Sequence, residues 1–143
     1  MICYEDFKFI IKQYILKEWQ DEWSGFQSFL SSIKPEIGNW ETSYHKCRKD
    51  EIVLSRLRLG CTLIDVKHIF DRSPLPICDT CGTRITAEHI LLHCTKYSQY
   101  RLLLNSYLRE KAQPMSMPTV LDNSQVIYWV INFLKKSNTL NQL

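Results

Sequence analysis

The sequence predicts a mostly α fold: a small helical domain carrying a short insert made of a turn or hairpin plus a helix. Three observations lead there. Apolar residues recur every three to four positions over long stretches in both halves of the chain. Glycines and prolines fall between those stretches rather than inside them. Finally, "CDTCGTRITAEHILLHC" gathers Cys78, Cys81, His89, His93 and Cys94, whereas Cys3, Cys47 and Cys61 lie scattered.

The elements follow in order. From Glu5 to Trp23 the residues Phe7, Ile10, Ile11, Tyr14, Ile15 and Trp19 keep helical spacing with lysines between them, and Ser24-Gly25 closes the run. Phe26 to Ile33 suits a short helix before the turn marked by Pro35 and Gly38. A second long helix is expected from about Ser43 to Leu59, stopped at Gly60, with Val53, Leu54 and Leu57 on one face. "LIDVKHIF" reads as a short helix and "DRSPLPIC" as a loop. "TKYSQYRLLLNSYLREKAQ" forms a third amphipathic helix closed by Pro114. The last helix runs roughly from Ser124 to Lys136, entered through Asp122 and Asn123. One unit with shared packing is expected: a helical segment over 1–72, the insert over 73–97, and C-terminal helices over 98–143 packing on the N-terminal part.

With 143 residues, 45% hydrophobic and 23% charged, the chain reads as globular. No apolar run approaches the roughly 18 residues of a membrane span. The N-terminal "MICYEDFKFIIKQYILKEWQ" lacks the layout of a secretory signal, so a nuclear or cytoplasmic protein is expected. In a reducing compartment clustered Cys and His read as a metal site, and scattered cysteines as small buried hydrophobes.

Cys78-X2-Cys81 can set two thiolates on one tight turn, and Gly82 suits the positive φ such a knuckle needs. Thr86 can cap a short helix beginning at Ala87, placing His89 in its first turn. The fourth ligand is open. His93 shares the face of His89, whereas Cys94 lies about 140° round an ideal helix and reaches the same ion only if the helix ends or tightens there. A third thiolate, for its part, makes a tight structural zinc site. Four protein ligands would leave no position for water, which is a structural and not a catalytic arrangement.

The order "EIVLSRLRLG", "PICDTCGTRITAEHILLHC", "TKYSQYR" resembles the C-terminal region of non-LTR retrotransposon polyproteins of the Jockey and I type, downstream of reverse transcriptase and ribonuclease H. The likeness spans about residues 4–104. It implies a Cys3His zinc knuckle with Cys78, Cys81, His89 and Cys94 as ligands of Zn²⁺, and no role for His93. Two departures stand out: Cys61 occupies the place of an expected histidine in "GCT", and Val66 that of another, with His68 displaced by two.

The acids form no strand-borne carboxylate pair of the kind that gathers Mg²⁺, so no catalytic role is expected. Lys46, Arg48, Lys49, Arg56 and Arg58 crowd one predicted helix, and Arg72, Arg84, Lys96 and Arg101 surround the insert. Lys49, Arg56, Arg58, Arg84 and Lys96 are the candidate phosphate contacts for RNA or DNA. Asp50 and Glu51 would partly neutralise the helix face, and Arg56 could instead pair with an acid to hold helices together. Trp19 and Trp23 are expected in the core rather than stacked on bases, and His45 and His68 at the surface or satisfied inside. The competing expectation is a module that docks onto other polyprotein domains or a host partner, or a truncated copy without function.

Overall fold

The structure, a computed structural model, describes residues 4–38 and 47–143. Its elements are α1 (Tyr4–Gly25), α2 (Phe29–Ile33), α3 (Arg48–Leu59), α4 (Leu63–Asp71), a π turn (His89–His93), a 3-10 turn (Thr95–Tyr97), α5 (Ser98–Glu110), α6 (Met117–Asp122) and α7 (Ser124–Lys136). Among the described residues there is no strand, only an isolated antiparallel bridge between Ile77 and Arg84. The fold is thus mostly helical with a hairpin-like insert. Cys3, Trp40, His45, Lys46 and the expected helix start at Ser43 lie outside the described residues.

Local chemistry sets most of the boundaries. Asn123 starts α7 because its Oδ1 accepts from the backbone N–H groups of Gln125 and Val126, at 2.9 and 3.4 Å. Ser28 and Ser31 exchange bonds in a capping box at the head of α2. Gly60 ends α3 in the left-handed region at φ 65°, and a Cβ there would meet the Phe29 ring at 3.0 Å. Conformation and space both call for glycine at that point.

The core is built around α7, whose Val126, Ile127, Val130, Ile131, Phe133 and Leu134 are all buried. This helix packs against α5 and α6, and α2 and α3 pack on α6. Val53, Leu54 and Leu57 of α3 enter the same core, as their shared face predicted. Each such side chain contributes about 1.5–3 kcal/mol by leaving water. An ion pair also ties α7 to α3: Lys135 Nζ, at the surface, donates to Oδ2 of buried Asp50 at 2.7 Å. Asp50 therefore serves this long-range pair rather than a solvated helix face.

The first helix departs from expectation in its burial. It forms where predicted, but none of its residues is buried, and Phe7, Ile10, Ile11, Tyr14, Ile15 and Trp19 are 41–64% exposed. Its C-terminal end is tied down by three side-chain bonds. Gln20 Nε2 donates to Pro35 O at 2.9 Å, Gln20 Oε1 accepts from Ile37 N at 2.8 Å, and Trp23 Nε1 donates to Lys34 O at 2.8 Å. Periodicity fixes helical conformation; burial additionally needs a facing surface. Trp19 is accordingly no core residue, and Trp23 is half-buried.

Candidate metal centre

The insert is organised first by its backbone. Ile85 N donates to Pro76 O, Cys78 N to Thr83 O and Gly82 N to Cys78 O, each at 2.8 Å. These bonds fold 76–85 into a tight reversal with Cys78 and Cys81 at its end, and Gly82 takes φ 67° as the spacing required. Thr86 Oγ1 then accepts from His89 N at 3.0 Å. Asp65 of α4 adds a contact that sequence did not suggest: its Oδ1 accepts from Ala87 N at 3.3 Å while its Oδ2 accepts from the Thr62 hydroxyl at 2.6 Å. Ile90 and Leu91, buried in the common core, anchor the insert from below.

The backbone between His89 and Cys94 brings Cys94 within reach of the cluster. Cys94 N donates to His89 O at 2.7 Å, an i→i+5 bond that makes this turn a π turn. A π turn holds about 4.4 residues, so five steps carry the chain only about 50° beyond a full circle. Cys94 thereby returns to the face of His89. The turn ends there, one of the two routes the spacing argument allowed, and it does so by widening rather than by tightening. His93 is left exposed and Cys94 is fully buried.

One donor atom from each of Cys78, Cys81, His89 and Cys94 lies within 4.8 Å of the others. Cys94 Sγ is 3.7 Å from Cys78 Sγ and 3.9 Å from Cys81 Sγ. A tetrahedral ion with metal–sulfur bonds of about 2.3 Å sets its sulfurs about 3.8 Å apart. His89 Nε2 is buried without a hydrogen-bond partner, while Nδ1 lies 3.4 Å from Thr83 Oγ1. A buried ring nitrogen free of hydrogen bonds beside three thiols suits a metal ligand, with the hydroxyl near the opposite nitrogen. The group could hold one metal ion.

No family model, curated protein or solved structure matches this chain. The site therefore has to be read from its own chemistry. Burial lowers the pKa of His89, helped by the charges of His93 and Arg101, and so favours the neutral, ligating imidazole. Burial raises the Cys94 thiol, whereas hydrogen bonds from Thr95 bring Cys81 down to about 7. Cys81 and Cys94 thus differ in how readily they ionise, according to depth and donors.

The candidate phosphate contacts separate into two sets. Lys49, Arg84 and Lys96 are exposed and Arg56 is half-buried. Arg84 stands on the knuckle itself, opposite Ile77, and Lys96 borders the same hollow as Cys78, His89 and Cys94. Arg58 belongs elsewhere. It is buried and donates through Nε to Leu121 O at 3.0 Å, and burial lowers its pKa to about 10. The helix-fastening role considered for Arg56 falls to Arg58, two residues on and on the other side of the helix, where it is buried. Arg101, grouped by sequence with the basic surround of the insert, is also buried. The scattered cysteines diverge too, since Cys47 and Cys61 are exposed rather than small core residues. His68 is half-buried with an unpartnered Nδ1.

Proposed function

We propose that this chain is a zinc-stabilised, non-catalytic nucleic-acid-binding module, resembling the C-terminal end of non-LTR retrotransposon polyproteins and contacting template RNA or target DNA. Zn²⁺ would be held by Cys78, Cys81, His89 and Cys94 and would order the segment between the two helical halves. The observation that carries the zinc reading is the sulfur spacing of 3.7 and 3.9 Å beside an orphaned His89 Nε2. Three thiolates and an imidazole complete a tetrahedral shell, so the ion staples rather than catalyses. Arg84 and Lys96, exposed on the stapled insert, and Lys49 on α3 are the groups available to phosphates.

The test is fluorescence anisotropy of zinc-loaded protein with single-stranded RNA and with DNA across a salt series. Binding should weaken steeply with salt, and Arg84→Gln with Lys96→Gln should reduce the log–log slope by about two contacts' worth. Absence of binding at low salt by folded protein with one bound zinc would sink the nucleic-acid reading. A docking module is the second reading, favoured by the uncovered apolar residues of α1. Binding to other polyprotein domains, blocked by Ile11→Lys, would support it.

A further inference from the structure

A guanidinium taken out of water is costly unless its charge and its hydrogen-bonding groups both find partners. Arg101, on α5, is 5% exposed. Its Nη2 donates to Ile90 O at 2.7 Å and to Cys94 O at 3.1 Å. Its guanidinium carbon stands 5.7 Å from the centre of the Phe133 ring. Those contacts satisfy one nitrogen and cover one face, while Nε is buried without a partner. Among the described residues no carboxylate pairs with Arg101. A charge is therefore buried with no countercharge of the ordinary kind.

The same side chain grips the π turn at two points. Ile90 is its second residue and Cys94 follows its last. A single nitrogen bonded to both carbonyls sets how far apart they can lie, and so favours the widened turn that carries Cys94 back to His89. The sulfur group supplies the missing countercharge. A divalent ion bound by three thiolates and a neutral imidazole carries a net charge of −1, and a buried guanidinium beside it brings the pair to zero.

We infer that Arg101 is the positioning residue and countercharge of the metal centre: it fixes the π turn that presents Cys94 and neutralises the ion's three-thiolate shell. The inference rests on the zinc reading above. It accounts for a buried cation without an acid, and it supplies an electrostatic reason for three thiolates in the shell instead of two. Through Phe133 it also joins the insert to the central helix α7. Arg101 touches no reacting atom and acts through Cys94.

The test uses the full chain with Arg101→Gln and Arg101→Lys. Zinc affinity is measured by competition with a chromophoric chelator, and stability in urea is measured with and without chelator. Wild type is titrated first: failure to bind one zinc would overturn the site itself, and this inference with it. Given a zinc-binding wild type, Arg101→Gln should weaken zinc about 10–100-fold, and Arg101→Lys, keeping the charge, should recover a large part of that loss. The loss of stability should be larger in the zinc-loaded protein than in the chelated one, where the cation has no countercharge. Zinc affinity within about twofold of wild type, or equal destabilisation of both forms, would reduce Arg101 to a packing residue and overturn the proposal. Should Arg101→Gln not fold, Arg101→Lys decides: a loss of about 3–10-fold supports the inference, and an unchanged affinity overturns it.

Discussion

Replacing Cys94 with serine separates the π-turn reading from the one an ordinary helix would give. The substitution keeps size and burial but exchanges a soft thiolate for a hydroxyl that stays protonated at neutral pH. Structural zinc sites contribute about 10–16 kcal/mol at pH 7, so the share of one ligand in four is about 2.5–4 kcal/mol, or about 10²–10³ in affinity. The structure leaves His93 exposed and outside the group formed by Cys78, Cys81, His89 and Cys94, so it offers no ready replacement ligand. Cys94→Ser should therefore lose zinc by that factor, while His93→Ala should stay within about twofold of wild type. Chelator competition gives the affinities, and cobalt substitution gives the ligand count, since thiolate-to-cobalt absorption grows with each sulfur. The reasoning fails if Cys94→Ser binds zinc like wild type while His93→Ala releases it. That pattern would mean a regular helix between these residues.

Zinc affinity should fall as the medium is acidified, because the raised Cys94 thiol must release a proton on binding; proton release followed with an indicator at pH 7 should detect it, and its absence would contradict a thiolate ligand there. The metal-free protein should lose stability as pH drops below 6.5, the ordinary value for His89. The lowered pKa of this imidazole means that the unfolded chain takes up a proton the folded chain refuses, so stability rises again with pH through that window. His89→Gln should flatten that dependence in urea titrations. Arg58→Met should cost about 1–2 kcal/mol through the lost bond to the Leu121 carbonyl, with nucleic-acid binding unchanged at equal folded fraction. Weaker binding at undiminished stability would return Arg58 to the phosphate contacts.

Much of the helical layout was legible because it depends on near neighbours in sequence. Asn123 announces α7 and Gly60 ends α3, since a side-chain cap and a left-handed residue act within one turn. The Cys-X2-Cys knuckle with Gly82 was legible for the same reason. Helix α6 was not: with six residues it is too short to show a period, and its signals were only Ser116 as cap and Pro118 near its start. Arg58 and Arg101 look like surface charges in sequence, and only distant carbonyls at Leu121, Ile90 and Cys94 make them interior ones. Asp50 finds Lys135 across 85 positions, which no local pattern encodes. The Cys3His group was ambiguous at one position alone, where angular arithmetic assumed 3.6 residues per turn and the backbone adopted a wider one.

A π turn is, in terms of chain length, an α-turn that has absorbed one extra residue. Seen as an insertion, the segment Ile90–His93 holds a spare position. Removing one residue from it would leave four steps between His89 and Cys94, about 40° past a full turn of ordinary helix, and the two side chains would still share a face. Adding a residue would leave no comparable regular turn to fall back on. Tolerance to changes in length should thus be one-sided here, with a deletion keeping more zinc affinity than an insertion. A metal centre of this kind can drift shorter in sequence while keeping its ligands, and fixed-spacing patterns would then overlook it.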